Sequence, residues 1–220
     1  MSLSKKKIDI NKIKGIILTH EHTDHISALK GLIQKYNLKI YTSKGTLECL
    51  RFKGIIGNKR EVQIISEGRE YEIGFASICP FSLPHDCAEG LGYVITSCEG
   101  EKLAICTDLG YIPEKIKNSL KGCRNVIIES NHDTMMLENG PYPYSVKRRI
   151  LSELGHLSNR ACSEILPFLV ENGTKNIVLS HLSSHNNLPD LALESAYYAL
   201  HNYGISPNVD VSVSLAPVCS

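Results

Sequence analysis

Tryptophan is absent from this 220-residue chain, and four phenylalanines accompany ten tyrosines. So thin an aromatic supply weakens any case for a carbohydrate platform or a base-stacking surface. Neither sign of charge dominates: 24 Lys and Arg stand against 23 Asp and Glu, for a formal net charge of +1. The field of the whole chain therefore does not advertise nucleic-acid binding, which would need a local basic patch. No apolar run approaches the ~20 residues of a membrane span, and the polar, basic stretch 1–7 is not a signal peptide. The eight cysteines, at 49, 79, 87, 98, 106, 123, 162 and 219, form no C-x-x-C pair and no zinc-ribbon spacing. They read as free thiols of a reduced, cytoplasmic protein rather than as a disulfide framework.

What is present is ordinary globular composition, with 42% apolar residues. The length suits one domain over residues 1–220 with a substantial core. Strand-like and helix-like segments alternate. Residues 15–19 (GIILT) read as a buried strand, 25–36 as a helix with Ile26, Leu29, Leu32 and Ile33 on one face, 38–42 as a strand and 44–52 as a helix. Strands are expected over 62–66, 71–83, 91–97 and 102–107. Beyond them the pattern predicts a helix from Pro113 to about Leu120 and a strand over 125–129. Helices over 145–154 and 158–171, a strand over 176–180, a helix over 190–203 and a strand over 209–214 complete it. Strands in the middle and helices at both ends imply two sheets faced by helices, a four-layer α/β sandwich.

The chemistry concentrates in Thr19-His-Glu-His-Thr-Asp-His25. Three histidines and an aspartate fall within six residues, between a buried strand and a helix. His20 and His22 can converge on one ion, and Asp24 and His25 can face a second. Imidazole and carboxylate are the ligands that zinc and related divalent ions take, and histidines at the end of a buried strand are otherwise costly to place. A loop this short cannot complete two coordination shells. His85, Asp108 and His181 each lie at a strand end or tight turn and are candidates, with capping or surface roles as the alternative for each.

With these residues in view, the chain resembles the metallo-β-lactamase superfamily, and within it the YycJ/WalJ (VicX) branch related to RNase Z and RNase J. The matching motifs are THEHTDH (19–25), PHD (84–86), GLGY (90–93), TDLGY (107–111), IIESNHD (127–133), YP (142–143), GHLSN (155–159) and LSHLSSHNN (179–187). The resemblance implies the αββα metallo-β-lactamase fold and two divalent ions, zinc or manganese. It places one ion on His20, His22 and His85 and the other on Asp24, His25 and His181, with Asp108 between them. A hydroxide bridging the two ions would be the nucleophile, because two cations lower the pKa of bound water. Asp24 also counts among the catalytic groups. His156 resembles a proton donor to the leaving oxygen, and Glu129 the carboxylate that orients it; a structural histidine near a helix start is the alternative. The implied substrate is nucleic acid, DNA in preference to RNA, cut from a 5′ end.

Other features have bland readings. His132 and Asp133 belong beside Glu129 or simply start a helix. His185 and His201 face solvent, Asn186 and Asn187 form turns, and Cys87 packs rather than ligates. Lys147, Arg148 and Arg149 either touch phosphates at the site entrance or form a solvated helix face. Members of the family normally begin with about two further strands, so the resemblance implies an N-terminally shortened sheet whose open edge a second copy of the chain, as a homodimer, would cover. Two competing functions remain: a small-molecule hydrolase of the same fold, such as a glyoxalase-like thioesterase or a β-lactamase, and an accessory protein in two-component or cell-wall signalling. The GHLSN and HLSSHNN motifs weigh against the first. The complete ligand set weighs against the second.

Overall fold

The computed structural model describes residues 8–217. The smaller of its two sheets is parallel and runs β1 (Ile16–Ile17), β2 (Ile40–Thr42), β3 (Gln63–Ile64). The larger contains β4 (Tyr71–Ile73), β5 (Ala76–Ser82), β6 (Leu91–Ser97), β7 (Lys102–Cys106), β8 (Asn125–Glu129), β9 (Asn176–Ser180) and β10 (Ser212–Leu215), lying in the order β10-β9-β8-β7-β6-β5-β4. Its pairs are antiparallel from β4 to β7 and parallel from β7 to β10. The helices are α1 (Thr23–Ile26), α2 (Leu29–Lys35), α3 (Lys44–Phe52), α4 (Glu114–Leu120), α5 (Thr134–Asn139), α6 (Tyr144–Ile150), α7 (Asn159–Glu171) and α8 (Pro189–Asn202).

Three packed regions give the expected four layers. Along the large sheet, Ala104, Val126, Ile177 and Val213 lie in register. They pack under Leu120 of α4, Leu166 and Leu169 of α7, and Ala196 and Leu200 of α8. Fully burying a Leu or Ile contributes about 1.5–3 kcal/mol, so this layer anchors the strands that carry the site. On the outer side of the small sheet, Ile40 meets Leu47 and Leu50 of α3 with Ile26 and Leu29 of α1 and α2. Between the sheets, Tyr41 and Ile65 meet Ile78, Leu91 and Tyr93. The three-stranded sheet covers the β4–β6 end only. Ile105, Ile127 and Val178, which face the same way farther along, stay half-buried.

Several elements depart from the sequence pattern. The strand expected over 15–19 is reduced to Ile16–Ile17 and is half-buried, because among the described residues β1 is an edge strand with one neighbour. The helix expected over 25–36 breaks after Ile26 and resumes at Leu29. The strand expected over 71–83 is a hairpin, folded at Gly74, whose φ of 66° suits glycine. The helix start offered as one reading of His132 and Asp133 is present as the six-residue α5, with Asp133 at its N-cap, and α6 stops at Ile150 instead of 154. The final strand begins at Ser212 instead of 209. The helix 44–52 and the strands 91–97, 125–129 and 176–180 have the expected bounds. Residues 1–7 and Cys219 lie outside the described residues.

Candidate metal centre

The parallel strands β7, β8 and β9 end together, and each delivers one side chain to the same edge. Asp108 follows β7, Glu129 closes β8 and His181 follows β9. Open α/β sheets place their ligand sites at this carboxyl edge. Asp108 and His181 both have positive φ, 65° and 57°. Strained backbone of this kind costs about 1–3 kcal/mol and collects at functional sites. The Asn131 side-chain amide holds the strained turn by donating to the His181 carbonyl at 2.9 Å.

The loop from β1 to α1 supplies His20 and His22, the first turn of α1 supplies Asp24 and His25, and the β5–β6 loop supplies His85. All seven candidate ligands converge. His20, His22 and His85 form one cluster, Asp24, His25 and His181 a second, and His20, His25 and Asp108 a third that joins them, with donor atoms in each within 4.8 Å of one another. Asp108 lies 3.3 Å from His25 Nε2, 3.4 Å from His181 Nδ1 and 3.9 Å from His85 Nε2. Asp108 thus lies between the two outer clusters.

Hydrogen bonds on the far side of each ring decide which nitrogen faces the centre. A carbonyl or carboxylate can only accept. His85 Nδ1 therefore donates to the Gly155 carbonyl at 3.1 Å, leaving the Nε2 lone pair toward His22 Nδ1, 3.2 Å away. His181 Nδ1 donates to Glu129 Oε1 at 2.7 Å, leaving Nε2 toward Asp24 Oδ2 at 3.3 Å. The Thr19 hydroxyl serves Nδ1 of both His20 and His25, at 3.2 and 3.1 Å. Their Nε2 atoms, with Asp108 Oδ2, are buried and make no well-aligned hydrogen bond among the described residues, although His25 Nε2 and Asp108 Oδ2 lie 3.3 Å apart. Buried polar groups are normally satisfied. Three such atoms of metal-ligand type in one place fit divalent cations.

Titration behaviour agrees with a cation site. Burial, aided by the neighbouring His25, pushes His20 down to about 4, which keeps its lone pair available. His85 is likewise lowered, chiefly by burial. Burial would lower His181 too, but hydrogen bonds to Asp24 and Glu129 overcome it and push the ring up to about 11. The hydrogen bond from His181 lowers Asp24. Burial opposes ionisation of Asp108, and His25 and His181 outweigh it. Carboxylates that hold protons on histidine this strongly would hold a metal ion in the same place.

Glu129 is fully buried, and its oxygens divide their work. Oε2 accepts the Leu109 and Leu157 backbone N–H groups at 3.0 and 3.2 Å. Oε1 accepts from His156 Nδ1 at 2.8 Å and from His181 Nδ1 at 2.7 Å. The expected His156–Glu129 pairing is therefore present. The same carboxylate also orients a candidate ligand, which motif reading did not anticipate. His156, 3.8 Å by its Nδ1 from Asp108, lines the open hollow of about 320 Å³ above the cluster.

Supporting residues were the least visible in the sequence. Glu21 is buried inside the HEH loop, where it accepts from Ala88 N at 2.8 Å and Thr46 Oγ1 at 3.3 Å. It thereby ties the His20–His22 loop to that of His85. Asn187, read as a turn-former, is buried instead. Its amide donates to the carbonyls of Ser130 and Asn131 and to Asn159 Oδ1. This places the GHLSN and HLSSHNN motifs in mutual contact. Asp133 caps α5 through Met136 N at 2.8 Å. His132 is buried beside Glu129. His185 and His201 are exposed. Cys87 packs against Gly90 and belongs to none of the clusters; burial pushes its thiol up to about 12, the opposite of a ready thiolate. Of the basic run, Arg149 alone lines the hollow. Lys147 donates to the Glu138 carbonyl, and Arg148 lies over the Tyr144 ring.

Comparison with known proteins points the same way. A family model described as "Beta-lactamase superfamily domain" matches residues 2–182. Exodeoxyribonuclease YycJ of Bacillus anthracis is 38% identical over 200 residues, covering 90% of this chain and 75% of that protein. Exodeoxyribonuclease WalJ of Streptococcus pneumoniae is 31% identical over 222 residues, covering 96% and 82%. Among solved structures, the metallo-β-lactamase fold protein YhfI of Bacillus subtilis superposes with a TM-score of 0.67 at 18% identity, over 97% of this chain and 80% of that one.

Proposed function

We propose that this chain, which belongs to the metallo-β-lactamase superfamily in the branch of YycJ and WalJ and is a metal-dependent hydrolase, cleaves phosphodiester bonds of DNA from a 5′ end. The observation that carries the reading is the pairing of His156 with Glu129 at the rim of the histidine–aspartate cluster. Hydrolysis of a reactive small molecule needs no separate proton donor, whereas an alkoxide leaving from phosphorus does. The identity with two exodeoxyribonucleases supports DNA over a small-molecule substrate.

In this reading His20, His22 and His85 hold one divalent ion, Asp24, His25 and His181 a second, and Asp108 serves both. The histidine-rich set suits zinc and its carboxylates admit manganese. Bound there, such ions lower the pKa of water toward neutrality and offset charge on the phosphate. Asp24 is more exposed than Asp108, and both line the hollow. His156 delivers a proton to the leaving oxygen while Glu129 fixes its ring. Residues 1–220 act as one catalytic domain in the cytoplasm. The β1 edge, unpaired among the described residues, and the half-buried Ile105, Ile127 and Val178 support a homodimer that covers them, which sedimentation equilibrium tests directly.

The functional test incubates the protein with 5′- and 3′-end-labelled DNA and RNA in Mn²⁺ or Zn²⁺, with Asp108→Ala alongside. Stepwise shortening of DNA from its 5′ end, absent in the variant, supports the proposal. Metal-loaded protein that cuts neither polymer but hydrolyses a thioester or β-lactam refutes it.

A further inference from the structure

Two cations open onto the hollow from different parts of the molecule, and the proposed ligand set uses neither. Lys53 follows α3, and Arg149 lies on α6. Both line the hollow together with His22, Thr23, Asp24, Asp108, His156 and His181. Lys53 Nζ donates to the Glu21 carbonyl at 2.9 Å, which engages one of its three N–H donors. Arg149 is gripped by Asp86 through Nε and, at 2.9 Å, through Nη2. Its Nη1 edge makes no hydrogen bond among the described residues. Lys53 is exposed, and about half of the Arg149 side chain is solvent-accessible, so each cation is oriented by one protein contact and open on another side.

Oriented cations with spare donors suit phosphate oxygens. They also answer a difficulty set by composition. With a net charge of +1 the chain cannot gather a polyanion through its overall field, so local cations must do so. Lys147 and Arg148 are engaged elsewhere, which leaves Lys53 and Arg149 at the hollow itself. We propose that Lys53 and Arg149 bind the phosphates flanking the one being cut, and so make the site selective for a polynucleotide over a single phosphodiester. This rests on the nuclease reading above. The competing role is purely structural: Lys53 would pin the histidine loop through Glu21, and Arg149 the His85 loop through Asp86.

The two roles separate on substrates of different charge. Lys53→Gln, Lys53→Arg and Arg149→Gln are assayed on a 3′-labelled oligodeoxynucleotide and on bis(p-nitrophenyl) phosphate, which carries one phosphate. Binding of a phosphorothioate oligonucleotide is followed by fluorescence anisotropy across a salt series. The expected result is a loss of about tenfold in kcat/KM per Gln variant on the oligonucleotide, mostly in KM. The salt slope becomes shallower by about 1, hydrolysis of bis(p-nitrophenyl) phosphate falls by much less than that of the oligonucleotide, and Lys53→Arg recovers most of the loss. Equal losses on both substrates, or none on the oligonucleotide, overturn the proposal while the nuclease reading stands. Wild-type protein that hydrolyses the small diester but neither binds nor cuts the oligonucleotide overturns both.

Discussion

Glu129 Oε1 lies 2.7 Å from Nδ1 of His181, whose Nε2 points to Asp24 3.3 Å away. Through this contact one buried carboxylate governs a candidate metal ligand and, through His156 at 2.8 Å, the candidate proton donor. The two functions separate by substitution. His156→Ala is expected to lower the rate on DNA about 10²–10⁴-fold with metal content unchanged. Glu129→Gln is expected to lower the rate and also weaken metal binding about 10–100-fold, read by competition with a chromogenic chelator. Full metal affinity in Glu129→Gln would show that His181 needs no such partner.

Gly155 is required by close approach. A Cβ there would run into the carbonyls of Arg149 and Ile150, and its own carbonyl accepts from His85 Nδ1. Gly155→Ala is expected to cost about 1–3 kcal/mol in urea denaturation and to weaken metal binding through His85. Gly31, in α2 with open space around it, is the contrast, since Ala there favours the helix by up to ~1 kcal/mol. Matching losses at the two positions would contradict the packing argument.

Stability should also depend on His132. The ring is 1% exposed, neither nitrogen has a hydrogen-bond partner among the described residues, and burial pushes its pKa down from 6.5 to about 4. Between those values the unfolded chain binds a proton that the folded protein refuses. Stability that is complete above pH 6.5 is therefore lost as pH falls toward 4, by ~3 kcal/mol in all. Urea titrations across this range should give a shallower acid-side decline for His132→Asn than for the wild type. Parallel declines would mean that the ring accepts its proton in the folded state.

The Asn187 amide meets Asn159 Oδ1 at 2.9 Å, and Asn187 Oδ1 accepts from Asn159 Nδ2 at 2.8 Å. Truncating one member leaves buried polar groups unpaired, so Asn187→Ala is expected to cost about 1–3 kcal/mol. The Ser130 and Asn131 carbonyls lose a donor with it. Thermal denaturation reads the loss, and an unchanged midpoint would show that the contacts carry no net stability.

The difference between what was and was not legible follows from sequence distance. His20, His22, Asp24 and His25 fall within six consecutive residues, so their chemistry is readable without knowing the fold. His85, Asp108 and His181 are single residues at strand ends, and the motif resemblance was what grouped them. Glu21 and Asn131 act through contacts with residues far away in the sequence, which exist only after the chain has folded. Lys53 is an ordinary surface lysine until α3 brings it to the hollow. Buried strands such as Asn176–Ser180 were legible because an apolar run between polar turns has few other uses. The hairpin at Gly74 was not, because β-branched and aromatic residues continue on both sides of the turn and only the positive φ betrays it.

The cluster is expected to be a centre for two divalent ions, an expectation that elemental analysis after equilibrium dialysis against Zn²⁺ or Mn²⁺ puts to the test. Two ions per chain are predicted for the wild type, one each for His85→Ala and His181→Ala, and weakened binding at both positions for Asp108→Ala. A wild-type protein that retains no metal, or His85→Ala and His181→Ala variants that each retain both ions, would contradict it.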